Sequence, residues 1–223
     1  MHRLLRGIAV STMWVAAVAG AQQQKVLTVA PLGAKPAGQF TTVQDAVTAA
    51  PETGAEIRIE PGEYREVVHI DKPNIHLRGM GGDSGKVVIV YANGASNTCG
   101  TACSATVFET GDNFVATNLT IANDWVKTGK PRTQALALSI SGDRAVLRNV
   151  RLLGAQDTLL ATSKGCRTGG SGADSGPPAA CKIARQFYDH CYIEGEVASS
   201  SAMRRRSLRA ARFGVWCIRR AGF

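Results

Sequence analysis

Past its N-terminus the chain has no apolar run that approaches the roughly 20 residues needed to cross a bilayer, so no membrane partner is expected for its body. It has only four histidines, and its six cysteines fall at spacings that match no zinc pattern, so no metal site is expected. Helix is scarce. Phe40–Ala50 is the one convincing case, with Phe40, Val43, Ala46, Val47 and Ala50 at helical spacing, Thr41 or Thr42 as cap and Pro51 after its end. Acidic residues are missing from both ends. All 17 lie within residues 22–197, where they balance 17 of the 26 basic residues. The net charge of +9 therefore belongs to Arg3 and Arg6 and to the seven arginines after Val197, and the body gives no reason to expect a nucleic-acid partner. Gly79–Lys86, GMGGDSGK, looks superficially like a phosphate loop but lacks the strand–loop–helix setting and the spacing, and reads as a turn.

What is present begins with an export pattern. Arg3 and Arg6 precede the apolar IAVSTMWVAAVAG, which closes on Ala19-Gly20-Ala21. Residues 1–21 are expected to be a signal peptide cleaved near Ala21, with the mature protein secreted or periplasmic. The six cysteines fit that compartment. Cys99–Cys103 and Cys166–Cys181 are candidate disulfides, the second bracketing a Gly/Ser/Pro-rich insertion, and Cys191 reads as a buried thiol in an apolar strand.

From Glu56 onward the chain is a series of short strands divided by glycine and proline turns. Asn118-Leu-Thr-Ile121, Asn149-Val-Arg-Leu152 and His190-Cys-Tyr-Ile193 echo one another at intervals of 31 and 41 residues, the longer interval holding the Cys166–Cys181 insertion. Repeats of this size, with almost no helix, predict a solenoid in which each coil stacks on the last. An all-β, parallel β-helix fits best, with the Phe40–Ala50 helix as its N-terminal cap. A β-sandwich would show hairpin turns more often.

The stretch from Gln134 to Ala161, QALALSISGDRAVLRNVRLLGAQDTLLA, sets two amides, Gln134 and Gln156, and one acid, Asp157, into β-branched and apolar sequence. An acid beside an amide at a strand end, near a second amide one repeat earlier, suits holding a carbonyl and protonating a leaving group. Four motifs around it agree in order and approximate spacing: Pro61-Gly-Glu-Tyr64-Arg-Glu66, Gln134-Ala-Leu-Ala-Leu138, Gly154-Ala-Gln-Asp157-Thr-Leu159 and Gln186-Phe-Tyr188 with Cys191-Tyr-Ile-Glu-Gly195. Together they resemble the pectinesterases, or pectin methylesterases, over roughly residues 26–197.

The resemblance implies a right-handed parallel β-helix that hydrolyses methyl-galacturonate esters in pectin without cofactor or metal. It implies that Gln134 and Gln156 hold the carbonyl oxygen as it becomes negative, and that Asp157 acts as general acid and then base. Thr101 aligns loosely with a family threonine near the substrate. A second aspartate, opening a segment just after the Glu194-Gly195 turn, is the family's nucleophile, and an arginine further downstream orients it. One carboxylate must stay charged to attack, while the other must carry a proton, which an apolar surface and a like-charged neighbour both favour.

After Val197 the resemblance stops. Where the family reads Asp-Phe-Ile-Phe-Gly-Asp-Ala, this chain reads Ala198-Ser-Ser-Ser-Ala-Met-Arg204. One coding of the family peptide, GAC TTC ATC TTC GGC GAT GCG, yields Ala-Ser-Ser-Ser-Ala-Met and then an arginine codon's first two bases when the A of its first codon is deleted. Residues 22–197 are thus expected to be a partial pectinesterase β-helix, incomplete at its C-terminal end, and residues 198–223 a basic tail read out of frame. With Ala198 at the nucleophile position and the downstream arginine missing, the chain as written is expected to be inactive and poorly soluble. The expected partner is pectin, bound by a monomer. The alternatives are a non-catalytic β-helix that binds polyuronate, and a polysaccharide lyase, whose calcium-binding acid cluster is not seen in the central coils.

Overall fold

The computed structural model describes residues 24–34, 38–164 and 184–195. The expected leader, the Cys166–Cys181 pair, position 198 and the basic tail lie outside these residues. The elements are β1 (Lys25–Val29), α1 (Val43–Ala49), β2 (Ala55–Ile59), β3 (Gly62–Arg65), β4 (Val68–Ile70), β5 (Ile75–Gly79), β6 (Val87–Tyr91), β7 (Val107–Glu109), β8 (Val115–Asn123), β9 (Leu138–Ile140), β10 (Ala145–Leu153), β11 (Leu159–Ala161), β12 (Gln186–Asp189) and β13 (Tyr192–Glu194). Every strand pairing among the described residues is parallel.

The strands form three walls. The first runs β1-β2-β5-β8-β10-β12, the second joins β3, β6, β13 and the later halves of β8 and β10, and the third runs β4-β7-β9-β11. Each coil visits the walls in turn, so the chain is a parallel β-helix. Between the first and second walls the backbone turns through the left-handed region at Asn118, Asn149 and His190 (φ 59°, 51° and 52°). These are the three positions of the sequence echo, and they stack because Leu119 pairs with Val150 and Arg151 with Tyr192. Asparagine tolerates this conformation better than other β-carbon residues. It also forms a ladder here: Asn149 Nδ2 donates to Asn118 Oδ1 (2.6 Å) and Asn118 Nδ2 to the Gly79 carbonyl (3.0 Å). Asn74, Asn113 and Arg144 make the equivalent left-handed stack where the third wall returns to the first.

Inside the coils, side chains stack in rows along the axis. Leu27, Ile57, Leu77, Ala116 and Leu147 form one row and Tyr64, Ile89, Ile121, Leu152 and Ile193 another. In the third wall, Ile70, Glu109, Ile140 and Ala161 share a row, so a carboxylate occupies an interior aliphatic position.

The helix α1 closes the N-terminal end by burying Val43, Ala46 and Val47. Thr42 Oγ1 accepts from Asp45 N–H (3.1 Å), and the Glu66 carboxylate accepts from Val43 and Gln44 N–H (2.7 and 2.8 Å), which together satisfy the first turn. Lys72 Nζ donates to the Thr48 and Ala50 carbonyls at the other end. The helix is shorter than its apolar spacing suggests. Phe40 instead bridges Val29, accepting from Ala30 N–H and donating to Thr28, which draws it onto the first wall. Of Gly79–Lys86, Gly79 ends β5 and residues 80–86 turn the chain into β6. Cys99 and Cys103 are joined, with Cα atoms 5.5 Å apart. Cys191, expected within a strand and buried, lies between β12 and β13 and is half-buried, because the chain turns the corner there after His190.

Candidate functional site

The corner from the second wall to the third carries Gln134, Gln156 and Asp157. After β8 the chain swings out through residues 124–133 and returns at Gln134. After β10 it returns at once, through Gly154 and Ala155, to Gln156. The two glutamines form a parallel bridge, with Ala135 N–H donating to the Gln156 carbonyl (3.0 Å) and Ala95 N–H to the Gln134 carbonyl (2.8 Å). Residues opposite one another in a parallel pair project to the same side, so the two amides stand side by side on neighbouring coils. Thr133 Oγ1 donates to Gln134 Oε1 (3.3 Å), and neither glutamine Nε2 donates to a described residue.

Asp157 follows Gln156 in the left-handed conformation, φ 57°. It is half-exposed, and burial raises its pKa above the usual carboxylate range. No like charge among the described residues adds to that shift, so desolvation is its one cause here. Next to it, Thr158 is buried and its Oγ1 donates to the Glu194 carbonyl (2.9 Å), while Gly154 N–H donates to the same carbonyl (3.0 Å). The Glu194-Gly195 turn is thereby stacked directly on this corner. Gly195 sits so close that a Cβ there would collide with Thr158 Oγ1 and the Ala155 carbonyl.

Beneath the amides, Trp125 packs on Ala135 and Ala155, the residues flanking Gln134 and Gln156. The buried Asn123 ties its own coil to the preceding one. Its Nδ2 donates to the carbonyls of Asn93, Ser104 and Leu136 (2.8, 2.8 and 2.9 Å), and its Oδ1 accepts from Trp125 N–H (3.1 Å). Sequence reasoning missed both Asn123 and Trp125. The only local signal was a polar pair, Asn123-Asp124, closing an apolar strand.

Thr101 lies in the short 3-10 turn Thr101–Cys103, closed by the Cys99–Cys103 disulfide. Its carbonyl accepts from Ser104 N–H and Oγ–H, and it makes no described hydrogen bond to either glutamine or to Asp157. A cavity of about 370 Å³ lies elsewhere, between α1 and the third wall, and none of the three site residues lines it. Among the described residues no group of three or more His, Cys, Asp or Glu is placed to hold a metal ion. Chemically, the corner offers two adjacent amide donors to a carbonyl oxygen and one carboxyl inclined to keep its proton.

The family model described as Pectinesterase matches residues 27–166. Pectinesterase 1 of Olea europaea is 31% identical over 192 residues, covering 84% of this chain and 46% of its own length. Among solved structures, the pectin methylesterase PemA from Erwinia chrysanthemi superposes with a TM-score of 0.60 at 29% identity, covering 76% of this chain and 49% of that one. A pectin methylesterase in complex with a hexasaccharide does so at 0.61 and 30%, covering 75% and 49%. The fold these likenesses share is the right-handed parallel β-helix, the hand that crossover connections between parallel strands adopt almost without exception. The chain spans about half the length of the Olea europaea relative and about a quarter of others, such as Pectinesterase 2 of Arabidopsis thaliana.

Proposed function

The chain belongs to the pectinesterase family, and from that premise we propose that its fold is built to hydrolyse the methyl esters of polygalacturonate at the corner formed by Gln134, Gln156 and Asp157. The observation that carries this reading is the in-register bridge of Gln134 and Gln156 with Asp157 next in line.

In the reaction, a carboxylate at position 198 attacks the ester carbon and the carbonyl oxygen gains the negative charge. Gln134 and Gln156 donate to that oxygen, each worth on the order of 3 kcal/mol in such a role. Asp157 gives its proton to the departing methoxide, which leaves as methanol and leaves the sugar bound as an anhydride. Asp157, now ionised, takes a proton from water. The hydroxide attacks the anhydride, which restores the carboxylate at position 198 and frees the galacturonic acid, whose proton passes to solvent. Position 198 follows the Glu194-Gly195 turn that stacks on Asp157's corner.

Ala198 cannot make that attack. We attribute Ala198–Arg204 to a one-base deletion, and expect no turnover from the chain as encoded. The same reading makes residues 1–21 a cleaved export signal, residues 22–197 the partial β-helix domain, residues 198–223 an out-of-frame tail, Cys166–Cys181 a second disulfide, Thr101 a substrate neighbour and the protein a monomer. The test is to sequence the DNA around codon 198, restore the frame and measure methanol release from methyl-esterified polygalacturonate. Release supports the proposal. Binding of the polymer without release, by the frame-restored protein, would favour the non-catalytic polyuronate-binding reading instead.

A further inference from the structure

The excursion from Asp124 to Thr133, which leads directly into Gln134, carries three exposed cations, Lys127, Lys130 and Arg132. Its single acid, Asp124, is engaged from behind by Arg65, whose guanidinium donates to both carboxylate oxygens at 3.0 Å. No described acid pairs with Lys127 or Lys130 within the arm.

The arm is held firmly. Trp125 is 2% exposed and packs on Ala135 and Ala155, and its Nε1–H donates to the Pro131 carbonyl (3.0 Å). Thr128 Oγ1 donates to the Trp125 carbonyl (2.7 Å) and accepts from Lys130 N–H (3.3 Å), with Gly129 in the left-handed turn between them (φ 71°). Lys130 Nζ lies 5.2 Å from the centre of the Trp125 ring. On the inner side, a Cβ on Gly94 would meet the ring at 2.6 Å, so the tryptophan has no room to withdraw. The cations thus ride on a side chain whose own contacts are the neighbours of Gln134 and Gln156.

We propose that this arm recognises free uronate carboxylates on the sugar units next to the ester held at the corner, with Lys127 and Lys130 as the principal contacts and Arg132 adding charge. The proposal rests on the esterase reading of the corner. Its chemistry follows from the reaction: each ester cleaved leaves a carboxylate on the same polymer, so a half-processed chain presents anions within reach of these ammonium groups. A fully methylated polymer presents none.

The test is binding of the full chain, as encoded and frame-restored, to immobilised polygalacturonate and to highly methyl-esterified pectin at low and high salt. The variants are Lys127→Gln with Lys130→Gln, the charge-keeping Lys127→Arg with Lys130→Arg, and, in the chain as encoded alone, a charge-matched control in the basic tail, Arg205→Gln with Arg206→Gln. The glutamine pair should weaken polygalacturonate binding about fivefold at low salt, the combined worth of two exposed ion pairs. It should leave methylated pectin unaffected, lose its effect at high salt and be rescued by the arginine pair. Unchanged polygalacturonate binding in the glutamine pair, or an equal loss in the tail control, overturns the proposal. Methanol release reports on the esterase reading separately. An active frame-restored protein with unchanged binding sinks the arm alone, and an inactive one whose polygalacturonate binding still drops keeps the arm and sinks the reading of the corner.

Discussion

Glu109 and Asp157 are both acids whose pKa is raised by burial, and they differ in everything else. Glu109 is 1% exposed, on an interior rung between Ile70 and Ile140. Its Oε2 accepts from Gly142 N–H (3.1 Å), while Oε1 has no hydrogen-bond partner. Desolvation pushes it up to about 7, opposed by the Gly142 N–H and the Lys164 ammonium. Asp157 stands at a corner, half-exposed, on a left-handed residue that turns it toward the surface beside two amides. A perturbed acid is therefore not by itself a site. What separates the two is access to a substrate and the company of donors that a reacting carbonyl would need.

The comparison can be broken most severely at position 198. The chain as encoded should fall short of its frame-restored counterpart by about a millionfold in turnover, the loss on removing a nucleophile in a well-studied hydrolase; assaying methanol from both preparations checks it. Next come the amides. In the frame-restored protein, Gln134→Ala and Gln156→Ala should each lower kcat by about 100- to 1,000-fold with little change in KM, because the proposed role of both is to donate to the oxyanion rather than to the bound ester.

Glu109 should speak through stability instead. It keeps its proton in the fold up to about pH 7 but loses it near 4.5 in the unfolded chain. The folded state therefore binds more protons between those values. Stability should fall as pH rises from about 4.5 to about 7, by about 3 kcal/mol, and level off above. Urea titrations at pH 4.5 and pH 8 would show this, and Glu109→Gln should flatten the difference by gaining stability at pH 8. The smallest effect belongs to a different corner, the one between the first and second walls. Asn149→Ala forfeits the left-handed preference and the bond to Asn118, and should cost about 1–2 kcal/mol in the same titration, without changing its pH dependence.

Much of this architecture was legible in the chain because the corners are chemically marked. The Asn118, Asn149 and His190 echo is a record of where the backbone turns left-handed, and the structure stacks those three positions. Gln134 and Gln156 could be paired from sequence because each opens the approach to a third-wall strand. Glu109 was not legible. In Val107-Phe108-Glu109 the strand alternation alone cannot say which side faces in, and the larger apolar residue, Phe108, faces out, where its ring stacks on His69 at 4.7 Å. That choice is made by Ile70 and Ile140 on the adjacent coils. Asn123 and Trp125 were hidden for the same reason: their partners, Asn93, Ser104, Ala135 and Ala155, are near only after coiling.

The central claim, that the acid at the corner does chemistry and the acid on the interior rung does not, is tested most directly by one assay. Methanol release from methyl-esterified polygalacturonate is measured for the frame-restored protein carrying Asp157→Asn or Glu109→Gln. The account predicts a loss of about 100- to 10,000-fold for Asp157→Asn and a rate within a few-fold of the parent for Glu109→Gln. Full activity in Asp157→Asn, or an equal collapse in a folded Glu109→Gln, would contradict it.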